Sequence, residues 1–407
     1  MARAPLLPVE DALARILATA ERPLGAESVA LADTLGRRLA EDLAARRTQP
    51  PCAVSAMDGY AVRAADIASI PARLKVVGVS SAGHGFSGSV KTGEAARIFT
   101  GAPVPDGADT ILIQEDAKAE DGYVTALTSE PLGRYVRRAG LDFAAGDVLL
   151  KAGRRMGPAE LALAAAMNHA TLSVVRRPRV AILATGDELV PPGKEPGPDQ
   201  IVASNNFAVG AYARQAGAEV IDLGIAGDDF AALEAAIRRA RDLKADVLVT
   251  LGGASVGDHD LVQTALTREG MELGFWRIAM RPGKPFMHGR IGDMRILGLP
   301  GNPVSAIVCA VLFLVPLVRA LSGDADAGAD ATRPAILGAD LPENDQRQDY
   351  LRATLAGGEN GKPVATAFTR QDSSMLGVLA SAHALIVRAP HAPAAKAGDE
   401  CKVLSLG

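Results

Sequence analysis

The sequence predicts a multidomain α/β and β protein. Its parts are a three-layer α/β domain with a mostly parallel sheet, a β-rich domain inserted into a discontinuous helical or mixed domain, and a small C-terminal β-barrel domain. Three observations carry this expectation. At 407 residues the chain exceeds one typical domain. Between 179 and 321, short apolar runs alternate with helical periodicity, the order of a parallel sheet covered by helices. Before and after that region the texture shifts to short β-prone runs separated by Gly, Pro and Asp turns.

The elements follow in order. Residues 9–20 place Val9, Ala12, Leu13, Ile16 and Leu17 on one helical face. Residues 28–47 mix a short apolar run with a helical or extended stretch, and Gln49-Pro50-Pro51 breaks the chain. Up to 141, apolar runs such as 74–79 and 110–113 alternate with turns, a small β-rich domain. The alanine-rich stretch 157–168 reads as a helix packing on the first one, which makes the β-rich part an insertion. Strands are expected at 180–184, 220–223, 247–251 and 295–299, and helices at 205–215, 230–242, 261–268 and 303–321. A Gly/Ala/Asp-rich linker at 322–332 leads to short strands that suggest a small barrel or sandwich. The expected domains are 1–48 with 142–177, 49–141, 178–324 and 332–407.

Composition narrows the function classes. Hydrophobic residues make up 48% of the chain, enough for a sizeable core, and the net charge is -4, which disfavours a general nucleic-acid binder. The longest apolar run, 304–317, contains Pro316 and reads as a buried helix, so no membrane association is expected. Cys52, Cys309 and Cys401 are far apart and odd in number, giving no disulfide or metal framework. With no basic and apolar leader pattern, a reducing cytoplasm is the natural setting. The six histidines show no metal-ligand spacing.

Five polar loops follow apolar runs in the middle of the chain, where an open α/β sheet binds ligands. Thr185-Gly186-Asp187-Glu188 puts two carboxylates at a strand end, suited to Mg²⁺, although taken alone this loop reads first as a turn with a helix cap. Gly227-Asp228-Asp229 is the second loop. Gly252 and Gly253, followed by Ser255, offer a nest of N–H groups for phosphate, and Asp258 and Asp260 can converge on a cation. Arg281-Pro282-Gly283-Lys284-Pro285 holds two cations on a stiffened turn for an oxyanion. Pro300-Gly301-Asn302-Pro303 leads into a helix whose start, near Ser305, favours an anion. Ser204 caps a helix, and Asn205 beside it can reach a ligand.

These segments resemble the signature blocks of the molybdopterin molybdenumtransferase family, to which the eukaryotic gephyrin E domain belongs. The N-terminal half is similar as well, in Ser55-Ala56-Met57-Asp58-Gly59-Tyr60-Ala61-Val62, in the block from Arg97 to Asp109 with Glu115, and in Arg137-Arg138-Ala139-Gly140-Leu141-Asp142. The similarity runs in family order to Gln371-Asp372-Ser373-Ser374-Met375-Leu376. Departures are Pro51-Cys52-Ala53-Val54 before the first block, Leu141, Arg277 where lysine also occurs, and Asp372 in place of a common glycine.

The resemblance implies an enzyme that inserts molybdenum from molybdate into the dithiolene of adenylylated molybdopterin, releasing AMP and molybdenum cofactor, with Mg²⁺ required. It implies homodimers with a cleft shared between subunits. It also implies dealings with a molybdopterin adenylyltransferase and with cofactor-acceptor proteins. Carried over by position, the catalytic acids are Asp58, Asp142, Glu188, Asp228 and Asp260, with Asp228 and Asp260 chosen for the metal. The substrate-binding set is Asn205, Gly252, Gly253, Ser255, Arg277, Arg281, Lys284, Pro300, Pro303 and Ser305. Two alternatives are an adenylyltransferase built on a similar α/β domain, and a non-catalytic scaffold that carries the pterin.

Overall fold

A computed structural model of the chain describes residues 6–253, 261–358 and 361–406. It divides into two compact units, one of residues up to Glu27, Gly36–Ala40 and from Val174 onward, the other of Ser28–Leu35 and Glu41–Ser173.

The first unit contains a six-stranded sheet in the order Glu219–Ala226, Arg179–Thr185, Val247–Leu251, Met294–Leu299, Met287–Ile291, Glu272–Trp276. The first four strands are parallel and the last two are antiparallel additions. Alternation along the strands splits their side chains between two cores. Val180, Ile182, Val249 and Leu297 pack with the Asn205–Gln215 and Pro303–Leu321 helices. Ala181, Leu183, Leu248 and Ile296 pack with the Phe230–Asp242 and Leu261–Arg268 helices. With both faces covered, the inner strands Arg179–Thr185 and Val247–Leu251 read as apolar runs, while the edge strand Glu219–Ala226 keeps Asp222 exposed.

The Pro303–Leu321 helix is long and apolar enough to cross a membrane by length and composition. Here it is a core helix, with Phe313, Leu314, Leu317 and Leu321 fully buried. It widens into a π turn over Ala310–Leu314, ahead of Pro316, which has no N–H to return to the preceding turn.

The first helix, Val9–Leu17, lays Val9, Ala12 and Ile16 into the core that holds Phe313 and Leu321. The expectation grouped it with 142–177; its apolar stripe instead finds the larger apolar surface of the long helix. The Arg295 guanidinium donates to the Thr19 carbonyl just beyond it, at 3.0 and 2.6 Å.

The C-terminal part is a closed barrel. Strands Gln348–Ala356, Val364–Ala367, Arg333–Leu337, Glu400–Ser405 and Ala384–Arg388 pair in that order, and the last pairs back to the first. The short strand Met280–Arg281 adds to Gln348 and Asp349, joining an α/β loop to the barrel. The stretch expected as a linker is tied down: Asp324 is buried and accepts from Arg319 Nε at 2.7 Å.

The second unit carries a six-stranded mixed sheet, in the order Thr110–Ile113, Gly59–Val62, Glu94–Ile98, Ala72–Ser80, Tyr123–Ala126, Ala117–Glu120. Tyr60, Val62, Leu74 and Leu112 fill one core, and Ala61, Ala96, Ile98 and Ile111 fill another. Its Pro158–Ala166 helix starts with proline in the first turn, and Glu160 accepts from the Gly157 N–H at 3.1 Å.

Candidate functional site

The parallel strands end together. Thr185 is level with Ala226, Ala184 with Leu251, and Leu251 with Leu299, so the loops that follow emerge side by side. They enclose a cavity of about 760 Å³. Its wall includes Glu188, Asn205, Asp228, Gly252, Gly253, Pro300 and Pro303, seven of the expected site residues. It also includes Asn206, Asn302 and Ser374, which the sequence reading did not select.

Glycine is required at the turn after Val247–Leu251. Gly252 has φ +100°, and a Cβ there would stand 2.7 Å from the Thr185 carbonyl oxygen; at Gly253, with φ +64°, it would stand 2.1 Å from Val262 Cγ2. The pair therefore lets this loop sit close against its neighbours as well as line the cavity.

Among the described residues, two carboxylates line the cavity. Glu188 is exposed and folds back over Gly186. Asp228 is exposed, and its backbone N–H donates to Asp187 Oδ1 at 3.0 Å. Asp229 beside it caps the next helix, accepting from the Ala231 and Ala232 N–H groups at 3.1 and 3.0 Å. The Asn205 amide donates to the Gly301 carbonyl at 2.7 Å, bracing two loops. Ser204 makes no side-chain cap bond, so its expected capping role is not seen. Among the described residues, the Oδ1 atoms of Asn205 and Asn206 are buried and without hydrogen-bond partners.

The start of the Pro303–Leu321 helix differs from the expected anion site. Pro303 has no N–H, and the Val304 N–H donates to the Ser373 carbonyl at 3.0 Å. Ser305 is buried and absent from the cavity wall. The Ser373 segment belongs to the barrel and is held by Arg352, whose guanidinium is buried with 1% relative exposure for the residue. Arg352 Nε donates to Gln371 Oε1 at 3.2 Å and Nη1 to the Met375 carbonyl at 3.3 Å. Burial lowers its pKa, and the nearby Asp372 carboxylate opposes that shift. Asp372 accepts from the Ser374 N–H and hydroxyl at 2.8 and 2.6 Å, so this departure from the family pattern shapes the turn that brings Ser374 to the wall.

The basic residues separate. Arg281 is not on the cavity wall; it binds the buried carboxylate of Asp349, and that hydrogen bond holds its pKa up. This removes it from the expected oxyanion pair. Lys284 is half-buried, precedes the wall residue Pro285, and has no ion-pair partner among the described residues. Arg277, at φ +71°, stacks on Trp276 with 3.9 Å from Cζ to the ring centroid, away from the cavity wall.

Asp58 and Asp142 lie in the second unit. Asp58 Oδ1 accepts from the Thr100 N–H and hydroxyl, both at 2.7 Å, and these bonds lower its pKa. Asp142 is exposed, and its N–H donates to the Gln49 carbonyl at 3.0 Å. Ser255 and Asp260, with Asp258 and His259, fall outside the described residues. Among the described residues no cluster of three His, Cys, Asp or Glu side chains is placed to hold a metal.

Three family models match consecutive parts of the chain. They are the MoeA N-terminal region (domain I and II) over 7–168, a probable molybdopterin binding domain over 181–320, and the MoeA C-terminal region (domain IV) over 334–406. A molybdopterin molybdenumtransferase from Haemophilus influenzae is 34% identical over 383 residues, covering 94% of each chain. One from Nostoc is 38% identical over 327 residues, covering 79% of this chain and 75% of its own. The crystal structure of a molybdopterin biosynthesis moea protein from Pyrococcus horikosii superposes with a TM-score of 0.85 at 32% identity, covering 99% of this chain and all of that one.

Proposed function

Because this chain belongs to the molybdopterin molybdenumtransferase family, we propose that it acts in molybdenum cofactor biosynthesis, transferring molybdenum from molybdate to adenylylated molybdopterin with release of AMP. The observation that carries the reading is the convergence of Glu188, Asp228, Gly252, Gly253, Pro300 and Pro303 on one cavity at the carboxyl ends of a parallel sheet.

The side chains on that cavity suit the reaction. The Gly252 N–H is taken by the Leu299 carbonyl at 3.1 Å, so of the glycine pair it is the Gly253 N–H that can receive a phosphate. Lys284 next to Pro285, without an ion-pair partner among the described residues, is the cation for the molybdate dianion. Arg281, committed to Asp349, is left out of that role. Asn205 and Asn206 present two amide oxygens that have no donor among the described residues. Asp58 and Asp142 keep the catalytic assignment that their motifs imply, as does Asp260.

The donor set also fits Mg²⁺. That ion keeps several waters and is held by one or two carboxylates together with substrate phosphates. Among the described residues Glu188 and Asp228 are the carboxylates on the wall, and they would hold it, with Asp260 keeping the metal role expected of it. Bound there, Mg²⁺ would offset charge on the phosphoanhydride during its cleavage. Through that ion Glu188 and Asp228 would orient the phosphates, while the glycine turn and Pro300–Pro303 shape the walls around them. We place the active form as a homodimer in the cytoplasm, where the free thiols of Cys52, Cys309 and Cys401 stay reduced.

The test is a purified assay with adenylylated molybdopterin, Mg²⁺ and molybdate that follows AMP and metal-bound cofactor together. The reading expects AMP to appear only with molybdate and in step with loaded cofactor. ATP-dependent adenylylation of molybdopterin, or pterin binding without AMP release, would replace it with one of its two rivals.

A further inference from the structure

We propose that Asp187 is a positioning residue that sets where Asp228 stands relative to Glu188. The inference rests on the molybdenumtransferase reading and deepens it, because those two carboxylates are the ones assigned to the cavity cation.

Asp187 lies on the loop that leaves the Arg179–Thr185 strand, immediately before Glu188. Its Oδ1 accepts the Asp228 N–H at 3.0 Å, across to the loop that leaves the neighbouring strand. A second bond, from the Gly186 N–H to the Ala226 carbonyl at 3.1 Å, ties the same two loops one step earlier. Asp228 is exposed, and its carboxylate has no hydrogen-bond or ion-pair partner among the described residues. Its placement therefore depends on its backbone, and Asp187 is the side chain that holds that backbone.

Gly227 supports this independently. A Cβ there would stand 2.8 Å from Asp187 Oδ1, its nearest neighbour. Any larger residue at 227 would crowd the carboxylate that reaches over to Asp228. The bond needs an oxygen acceptor and no charge, because the Asp228 N–H is neutral. An asparagine can supply that oxygen; an alanine cannot.

The test compares Asp187→Asn, Asp187→Ala and Gly227→Ala in the full-length protein. Mn²⁺ serves as the probe, with the free ion counted by its EPR signal during a titration without substrate. Mg²⁺ half-saturation of AMP release is measured beside it. Losing a side chain that holds a metal ligand in place weakens metal binding about 10-fold. Asp187→Ala and Gly227→Ala should each show that loss in the Mn²⁺ titration and a matching rise in Mg²⁺ half-saturation, with an unchanged melting temperature. Asp187→Asn should stay within about 2-fold of wild type, since it retains the acceptor. Asp187→Asn failing like alanine would make Asp187 a charged ligand and overturn the positioning role. Mn²⁺ affinity unchanged in Asp187→Ala would overturn it as well. Failure of the molybdenumtransferase reading appears elsewhere, as wild-type AMP release that ignores molybdate.

Discussion

The guanidinium of Arg281 is closed onto the carboxylate of Asp349, with Nε 2.9 Å from Oδ1 and 3.0 Å from Oδ2, and with Nη2 donating to Oδ2 as well. The contact sits where Met280–Arg281 adds to the barrel strand Gln348–Ala356. Arg281 is half exposed, while Asp349 has 3% relative exposure. A cation expected to hold substrate thus satisfies a buried carboxylate between the α/β sheet and the barrel.

Arg281→Ala should leave the Asp349 carboxylate buried without its partner. That costs about 2 kcal/mol, read as a lower denaturant midpoint. Removing Asp349 as well should recover part of the loss, because the two changes share one interaction.

Gly252→Ala should damage both stability and activity. The backbone there has φ +100°, and the added Cβ meets the Thr185 carbonyl oxygen at 2.7 Å. Strain of this kind costs about 2 kcal/mol. Thermal unfolding reads that loss, and AMP release should fall as the glycine turn is pushed into the cavity.

Arg352→Met should loosen the segment that brings Ser374 to the cavity. The guanidinium spans Gln371 and the Met375 carbonyl, and methionine fills volume without donating. Gln371 Oε1 and the Met375 carbonyl keep the N–H groups of residue 352 and Leu379, at 3.0 and 3.3 Å, so losing the guanidinium bonds costs about 1 kcal/mol. Hydrogen exchange should show faster opening at Ser373 and Ser374 than at the strands of the α/β sheet.

The barrel should lose stability in acid through two named groups. Thr332, by its hydroxyl and its N–H, and then Lys402, hold Asp330 down to about 2 from 3.8. Arg347, by its guanidinium and its N–H, holds Asp345 down to about 2 from 3.8. A carboxyl lowered by folding contributes stability that is fully present above 3.8 and lost as pH falls through about 2. Asp330→Asn and Asp345→Asn should therefore melt lower than wild type at neutral pH and converge with it near pH 2.

Much of this was legible in the sequence, for physical reasons. Val247–Leu251 and Arg179–Thr185 are buried on both faces, so burial itself wrote apolar runs into the chain. Glu272–Trp276 and Met287–Ile291 were not anticipated, because Glu272, Gly274, His288 and Arg290 interrupt their apolar character. The loops holding Glu188, Asp228 and Gly252 could be placed because each directly follows a legible strand. Arg281 misled because its partner is 68 residues away. Arg352 gave no signal, since an arginine in a strand reads as facing solvent until the carbonyls around it are seen. Asn206 and Ser374 likewise reach the wall through folding that no local pattern encodes.

The most direct test of the central claim is single-turnover AMP release by Glu188→Gln, loaded with adenylylated molybdopterin and mixed with Mg²⁺ and molybdate. The side chain is exposed and the substitution keeps its size, so the fold is left intact. If the cavity is where the phosphoanhydride is cleaved, the variant should retain substrate and release AMP about 100-fold more slowly than wild type. Release at the wild-type rate, with molybdenum still appearing in the cofactor, would contradict the account and move the chemistry away from these strand ends.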